Sequence, residues 1–183
     1  MTLRLTSHDS VNMNKPIEQS YWVEKGKFLA GEYPRKLDEG ASRQKLRKFI
    51  DVGVNSFVDL TEEYELEPYQ HLFNEIDAGD VRYIRFPIRD VSIPDDPIQV
   101  VEILDYIDQE IQDGRVVYIH CWGGIGRTGT IAGCWFSRHG EKGQMALTKL
   151  RKKWEDNPKS KVHDSPETEA QIQFVINWHE TSG

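Results

Sequence analysis

Hydrophobic and polar positions alternate in a way that predicts strands and helices in turn from about residue 21 onward. Apolar segments at 21–23 and 28–30, separated by polar residues around Gly26, are typical of a short hairpin. Further strands are predicted at 55–60, 81–86 and 116–119. The last of these follows Gly114 and is apolar throughout, which is typical of a buried central strand.

Helix signals lie between these strands. Ser42 is expected to cap a helix that carries Leu46, Phe49 and Ile50 and ends near Gly53. A weaker helical pattern covers residues 69–76, and further helices are expected at 128–138, 144–155 and 166–178, the last of them capped by Ser165. Strands that alternate with helices predict an α/β layer architecture.

The most completely specified helix begins after Asp96 and Pro97. Aspartate is a favoured N-cap, and proline suits the first helical turn because its missing N–H has no partner there in any case. Apolar residues then recur at helical spacing and mark one face: Val100, Leu104, Ile107 and Ile111.

Length, charge and cysteine content narrow the classes of protein. With 183 residues the chain suits one domain, expected at 21–183 after a loose, polar leader at 1–20. A formal net charge of −7 argues against nucleic-acid partners and anionic membranes, which need a cationic surface. No apolar stretch approaches the roughly 20 residues of a spanning helix, and no signal-peptide pattern begins the chain. A cytoplasmic location is therefore expected, with both cysteines as thiols.

The segment 120–128, with sequence HCWGGIGRT, carries the candidate chemistry between a predicted strand and a predicted helix. Glycines at 123, 124 and 126 let the backbone turn tightly and direct successive N–H groups inward, so residues 122–126 are expected to cradle an anion. Arg127 is expected to grip two phosphate oxygens at once through its planar guanidinium. The loop residues expected to bind phosphate are Trp122, Gly123, Gly124, Ile125, Gly126 and Arg127.

Cys121 is the candidate nucleophile of this loop. A helix N-terminus and a nearby positive charge stabilise a thiolate, so Cys121 is predicted to be ionised and reactive. Thr128 is placed to donate a hydrogen bond to the sulfur as it leaves, and His120 to order the loop around it.

This segment resembles the signature of the Cys-based protein tyrosine and dual-specificity phosphatases, in which His-Cys, five residues and Arg are followed by Ser or Thr. The similarity extends over most of the chain from about residue 21. It is greatest to compact dual-specificity-like members such as the cyclin-dependent-kinase-associated phosphatase and bacterial relatives. The resemblance implies a central, mostly parallel sheet flanked by helices, a phospho-cysteine intermediate, and no cofactor or metal.

The resemblance also implies a general acid, an aspartate on a loop before the signature. Asp90 occupies the matching position in the segment 86–95 that follows a predicted strand, with Asp95 and Asp96 as rivals. A downstream segment at 167–171 partly resembles the water-positioning segment of classical tyrosine phosphatases, which makes Gln171 an accessory candidate.

Phosphotyrosine, and additionally phosphoserine or phosphothreonine on proteins, are the expected substrates, with the enzyme acting as a monomer. Residues 122–126 contain no Lys or Arg, whereas relatives directed at polyphosphoinositides carry extra basic residues there. Protein or aryl phosphates are therefore favoured over inositol lipids.

The same loop fits three other interpretations. The glycine pattern at 124–129 also fits a dinucleotide-binding turn. Such a site needs a following strand that ends in an acidic residue about twenty positions on, whereas residues 144–154 predict a helix. A rhodanese-like sulfurtransferase and a non-catalytic phosphoprotein-binding module both remain alternatives, against which the combination of Cys121, Arg127 and Asp90 argues.

Overall fold

The computed structural model describes residues 14–180 and is built on one five-stranded sheet. The strand order is β1-β2-β5-β3-β4; β1 pairs with β2 in an antiparallel hairpin, and the remaining pairs are parallel. The strands are β1 (Ser20–Glu24), β2 (Phe28–Gly31), β3 (Val54–Asp59), β4 (Arg82–Arg85) and β5 (Val116–His120). The predicted hairpin and the mostly parallel sheet are both confirmed.

The register of the central strands gathers their carboxyl ends at one edge of the sheet. His120, the last residue of β5, pairs with Gly31 of β2 on one side and with Asp59 of β3 on the other. Ligands of open α/β sheets bind outside the carboxyl ends of the strands, so this edge is where a site is expected.

Helices cover both faces of the sheet. They are α1 (Glu39–Asp51), α2 (Leu72–Glu75), α3 (Pro97–Gln112), α4 (Gly126–Arg138), α5 (Gln144–Trp154) and α6 (Glu169–Asn177), with a 3-10 turn at Pro158–Lys161. Alternate residues of β5 enter different cores, because successive side chains of a strand point to opposite faces. Val117 and Ile119 pack with α3 to α6, and Tyr118 packs with α1 and α2. All five β5 side chains are buried, as predicted for a central strand.

The cap of α1 differs from expectation. Asp38 is the N-cap, and its carboxylate accepts a hydrogen bond from the Ala41 N–H at 2.6 Å. Ser42 lies inside the helix, where its hydroxyl donates to the Asp38 carbonyl at 2.8 Å. Asp38 is the cap because the helix begins about one turn before the apolar pattern from which Ser42 was predicted as the N-cap. The end of α1 is as predicted, with Gly53 in the left-handed region directly after the helix.

The start of α3 follows the prediction in detail. The Asp96 carboxylate accepts from the Ile98 N–H at 2.8 Å, and Pro97 is the first helical residue. Val100, Leu104 and Ile107 are fully buried, and Ile111 packs partly buried at the edge of the same core.

The cap of α6 was predicted wrongly. Thr168 caps the helix, in a reciprocal capping box with Gln171, and α6 begins at Glu169 rather than near residue 166. Ser165 instead donates its hydroxyl hydrogen to the Ile125 carbonyl at 2.7 Å. The serine is thus occupied by the loop before α4 and is unavailable to its own helix.

The boundary between the expected leader and the sheet domain also differs from the prediction. Residues 1–13 of the expected leader lie outside the described residues. In the remainder, Lys15 donates to the Asp156 carbonyl at 2.6 Å, Ile17 packs against the core, and β1 already begins at Ser20. Residues 14–20 are therefore attached to the sheet domain, in contrast to the expected loose leader. Within residues 14–180 no helix has the length and apolar character to cross a membrane.

Candidate active site

The segment 120–128 connects the central strand β5 to helix α4 at the carboxyl edge of the sheet. His120 ends β5, Gly126 begins α4, and Cys121 lies directly after the strand with 3% of its surface exposed. The first turn of α4 contributes a positive partial charge to this loop.

Three carbonyl oxygens of the loop are hydrogen-bonded to groups outside it. The pairs are Trp122 O with Tyr33 N at 2.9 Å, Gly123 O with Lys159 Nζ at 2.9 Å, and Ile125 O with Ser165 Oγ at 2.7 Å. In a trans peptide the C=O and the following N–H point in opposite directions. The N–H groups that follow these carbonyls, at residues 123, 124 and 126, are therefore turned away from the three donors. A loop with outward carbonyls and opposed N–H groups is what an anion cradle requires.

Gly124 is required by the local geometry. Its φ is +72°, a region that favours glycine, and an added Cβ would lie 2.3 Å from the backbone carbon of Gly31. The loop therefore rests on the end of β2, and this close contact fixes its position relative to the sheet.

Arg127 is 1% exposed and its guanidinium is clamped by a carboxylate. Glu65 accepts from both terminal nitrogens, Nη1 at 2.8 Å and Nη2 at 2.7 Å, and the Ile88 carbonyl accepts from Nη1 at 3.0 Å. Burial opposes the charge, but Glu65, Cys121 and Asp90 outweigh it and raise the pKa of Arg127. The side chain is thus held as a cation in one orientation.

Asp90 is brought to the same arginine by the loop after β4. Its Oδ1 atom lies 2.9 Å from Arg127 Nη2, and about half of its side chain is exposed. Of the two rivals, Asp96 is engaged as the cap of α3, and Asp95 is exposed. The structure therefore places only Asp90 of the three against Arg127, and its role as acid stays a prediction.

His120 is fully buried beneath the loop. Its Nε2 atom lies 2.6 Å from the Tyr69 hydroxyl, and its Nδ1 atom 3.3 Å from the Cys121 carbonyl oxygen. Burial lowers the pKa of His120 to about 4, against the opposing effect of Asp59, so the ring is neutral near pH 7. The contacts agree with a role in ordering the loop.

Asp59 forms a buried polar centre that the sequence analysis did not single out. Its carboxylate accepts from the Thr61 hydroxyl at 2.7 Å and from the Tyr83 hydroxyl at 2.8 Å, and Arg85 approaches to 3.2 Å. Burial opposes its charge, but His120 and these hydrogen bonds leave the pKa of Asp59 lowered. This carboxylate lies at the end of β3, beside His120 in the sheet register.

Two buried polar atoms of the loop have no hydrogen-bond partner within residues 14–180. They are Thr128 Oγ1 and Arg127 Nε. Unpaired buried donors are costly in a folded protein, and such groups call for an explanation. Both donors are suited to a bound anion or to the sulfur of Cys121, in line with the predicted roles of these residues.

Gln171 is buried, and both ends of its amide are engaged. The oxygen accepts from the N–H groups of Glu167 and Thr168 at 3.2 and 3.1 Å, and the nitrogen donates to the Ser92 carbonyl at 3.0 Å. Gln171 therefore connects the start of α6 to the loop that carries Asp90. The accessory role stays a prediction, and the contact with Ser92 shows how this residue holds that loop.

Trp122 is 62% exposed and borders a cleft of about 760 Å³ beside the loop. The side chain therefore faces this cleft and is not packed beneath the loop. The cleft also exposes Leu37 and Tyr64, and Glu65 contributes to its wall next to Arg127.

Glu65 and Lys159 are among the residues that hold the loop and that sequence reasoning missed. Glu65 is one of four glutamates within residues 62–67, and nothing in that spacing distinguishes it from its neighbours. Lys159 lies in a short polar segment without periodicity. Both act through contacts between segments that are far apart in the chain.

A sheet edge with this cysteine, glycine loop and clamped arginine is that of the Cys-based tyrosine and dual-specificity phosphatase fold. The family model of the Swiss Army Knife protein, DSP-PTPase phosphatase domain (PTP-SAK), matches residues 18–175. The chain belongs to this family.

Individual relatives agree with this assignment. The "Putative tyrosine phosphatase 197R" of Invertebrate iridescent virus 6 is 34% identical over 111 residues, which cover 58% of this chain and 37% of the viral protein. The chain thus spans only part of this relative's length. Tk-PTP in its active form superposes on this chain with a TM-score of 0.68 at 25% identity. The match covers 86% of this chain and 93% of the Tk-PTP chain. Kinase associated phosphatase (KAP) shares the fold, with a TM-score of 0.65 at 17% identity, covering 81% and 83% of the two chains.

Proposed function

We propose that this protein hydrolyses phosphomonoesters on proteins, phosphotyrosine first and phosphoserine or phosphothreonine in addition, through a phospho-cysteine intermediate. The observation that carries the proposal is the construction of the loop. Cys121 lies at its base, its carbonyls are held outward, and Arg127 is fixed as a cation by Glu65. The chain from β1 onward is proposed to act as one phosphatase domain.

In the first step, loop N–H groups and Arg127 hold the phosphate oxygens. The Cys121 sulfur attacks phosphorus, the S–P bond forms, and the P–O bond to the leaving group breaks. Asp90 gives its proton to the departing oxygen, because an unprotonated alkoxide or phenoxide leaves slowly. To do so it exchanges its contact with Arg127 for one with the substrate, and its half-exposed position leaves room for this movement.

In the second step, water attacks the phospho-cysteine. The Asp90 carboxylate takes a proton from this water, the S–P bond breaks, and inorganic phosphate is released. Thr128, whose hydroxyl has no partner in the described chain, donates to the departing sulfur. Asp90 thus acts as the acid in the first step and as the base in the second, as microscopic reversibility requires.

Proteins are favoured as substrates by the chemistry around the loop. Positions 122–126 carry no cationic side chain for the additional phosphates of an inositol lipid. The neighbouring cleft exposes Leu37, Tyr64 and Trp122, side chains suited to the apolar residues of a peptide. The cytoplasmic location and the monomeric state expected from the sequence stay predictions.

The test is hydrolysis of 4-nitrophenyl phosphate with EDTA present, inhibition by vanadate, and then a panel of phosphotyrosine, phosphoserine and phosphothreonine peptides. Vesicles that contain phosphatidylinositol phosphates form a separate arm. Turnover of peptides, phosphotyrosine fastest, supports the proposal. Preference for the lipids would replace the proposed substrate. Phosphate binding without turnover would indicate a binding module, and thiosulfate turnover a sulfurtransferase.

A further inference from the structure

We infer that Lys159 is a positioning residue for the phosphate loop, holding the Gly123–Gly124 peptide so that the Gly124 N–H faces the phosphate. The inference rests on the proposed function of the loop. It assigns a catalytic consequence to a side chain 38 positions beyond the nucleophile, in a segment outside the signature.

The position of Lys159 is fixed from both ends. Its backbone N–H donates to the side chain of Asn157, the N-cap of the 3-10 turn, at 3.0 Å. Its Nζ atom donates to the Gly123 carbonyl at 2.9 Å and to Glu32 Oε2 at 2.9 Å. The ammonium group thus connects the loop to the segment that follows β2.

Glu32 is itself held by a second lysine. Lys45 Nζ lies 2.9 Å from Glu32 Oε1 and donates to the Tyr33 carbonyl at 2.8 Å, and only 7% of the Lys45 side chain is exposed. Burial opposes the charge of Glu32, but its hydrogen bonds to Lys159 and Lys45 prevail and lower its pKa. Glu32 is therefore a fixed carboxylate that orients Lys159 toward the loop.

The consequence for the loop follows from peptide geometry. With the Gly123 carbonyl held by Lys159, the N–H of Gly124 points the opposite way. Gly124 also packs closely on the end of β2, where an added Cβ would lie 2.3 Å from the backbone carbon of Gly31.

An ordinary surface ion pair is the competing explanation, and such pairs contribute little to stability. Two features separate Lys159 from that case. It donates to the main chain of the loop itself, and its side chain is only 28% exposed. Lys161, on the same 3-10 turn, is exposed and provides a matched control.

The experiment compares Lys159→Met, Lys159→Arg and Lys161→Met with the wild type. The measurements are kcat and KM for 4-nitrophenyl phosphate, the Kd of inorganic phosphate, the melting temperature, and the ¹⁵N shift of the Gly124 amide on phosphate binding. Loss of one oxyanion-hole donor lowers kcat about 10²- to 10³-fold, so partial misorientation of one N–H should cost about tenfold.

Lys159→Met is expected to lower kcat/KM and phosphate affinity about tenfold and to remove most of the Gly124 shift, on the same scale as one misdirected donor. Lys159→Arg should recover most of the kcat/KM, the phosphate affinity and the Gly124 shift. Lys161→Met should match the wild type. Wild-type values and an intact Gly124 shift in Lys159→Met would overturn the inference. So would equal losses in Lys159→Met and Lys161→Met, or losses in proportion to the fall in melting temperature.

The proposed function and this inference fail in different ways. If the wild type binds phosphate without hydrolysing it, the function fails, and the affinity and the Gly124 shift still decide the role of Lys159. If the wild type neither binds nor hydrolyses phosphate, both are overturned.

Discussion

Asp90 and Glu65 share one guanidinium, with Asp90 Oδ1 2.9 Å from Arg127 Nη2 and Glu65 Oε1 2.7 Å from the same nitrogen. The two contacts differ in kind. Glu65 grips two nitrogens and its side chain is only 20% exposed, whereas Asp90 makes one contact and is 48% exposed. We therefore expect Glu65 to stay on Arg127 during turnover and Asp90 to leave it.

The Asp90→Asn variant is expected to lose its proton donor. General acid catalysis contributes roughly 10²- to 10⁴-fold, so kcat should fall within that range for phenyl phosphate. The loss should be smaller for 4-nitrophenyl phosphate, whose leaving group needs less protonation. Steady-state kinetics with both esters measure the difference.

Asp95→Asn is the matched control for this acid, since Asp95 is exposed on the same segment. It should keep the wild-type rates with both esters. If Asp95→Asn showed the loss and Asp90→Asn did not, the assignment of the acid would be wrong.

Glu65→Gln is expected to loosen Arg127. The variant keeps one acceptor oxygen but removes the charge from a paired contact, and charged hydrogen bonds contribute about 1.5 to 3 kcal/mol. The lower end of that range corresponds to about a tenfold change. Vanadate affinity and kcat/KM should therefore each fall about tenfold or more. Glu63→Gln, an exposed glutamate of the same segment, should leave both unchanged. Equal behaviour of the two variants would argue against a role for the Glu65 clamp.

Gly124→Ala should inactivate the loop, whereas Gly123→Ala should be tolerated. At Gly124 a Cβ would meet Gly31 backbone at 2.3 Å and φ is +72°, while at Gly123 the nearest contact is an Ile125 side-chain carbon at 3.4 Å. Vanadate binding and the melting temperature report the loop and the fold separately. A Gly124→Ala variant with wild-type vanadate affinity would contradict the close packing described for the loop.

His120 makes stability depend on pH in a defined window. Burial lowers its pKa to about 4, below the value of about 6.5 expected when the chain is unfolded. Between these values the unfolded state binds a proton that the folded state does not, so the free energy of unfolding falls as pH drops from about 6.5 toward 4. The slope from this group approaches about 1.4 kcal/mol per pH unit.

Denaturant unfolding at several pH values, compared with His120→Gln, isolates this contribution. The variant should show a shallower dependence over the same window, and NMR of the His120 ring should show the neutral form at pH 6. A ring protonated at pH 6 would contradict the effect of burial.

Much of this protein was predictable from the sequence because its signals are local. The apolar run at β5, the Asp96 cap of α3 and the glycine loop each depend on neighbouring residues, and each lies where it was predicted. Asp90 was selected through the resemblance to the phosphatases, and the loop after β4 brings it to Arg127.

The remaining features depend on contacts between distant segments. Ser165 satisfies the local rule for a helix cap, yet it donates to Ile125, 40 positions earlier, and Thr168 caps the helix. Glu65 and Lys159 reach the loop across 62 and 36 positions. Periodicity and spacing carry no information on such pairings, so these residues became visible only in the folded chain.

The central claim is that Cys121 takes the phosphoryl group, and rapid acid quench followed by peptide mass analysis tests it most directly. During turnover of 4-nitrophenyl phosphate, the peptide that contains Cys121 should gain the mass of one phosphoryl group. Cys121→Ser should show no gain and no turnover while still binding vanadate. Turnover that persists in Cys121→Ser, or a phosphoryl group found on another residue, would contradict the account.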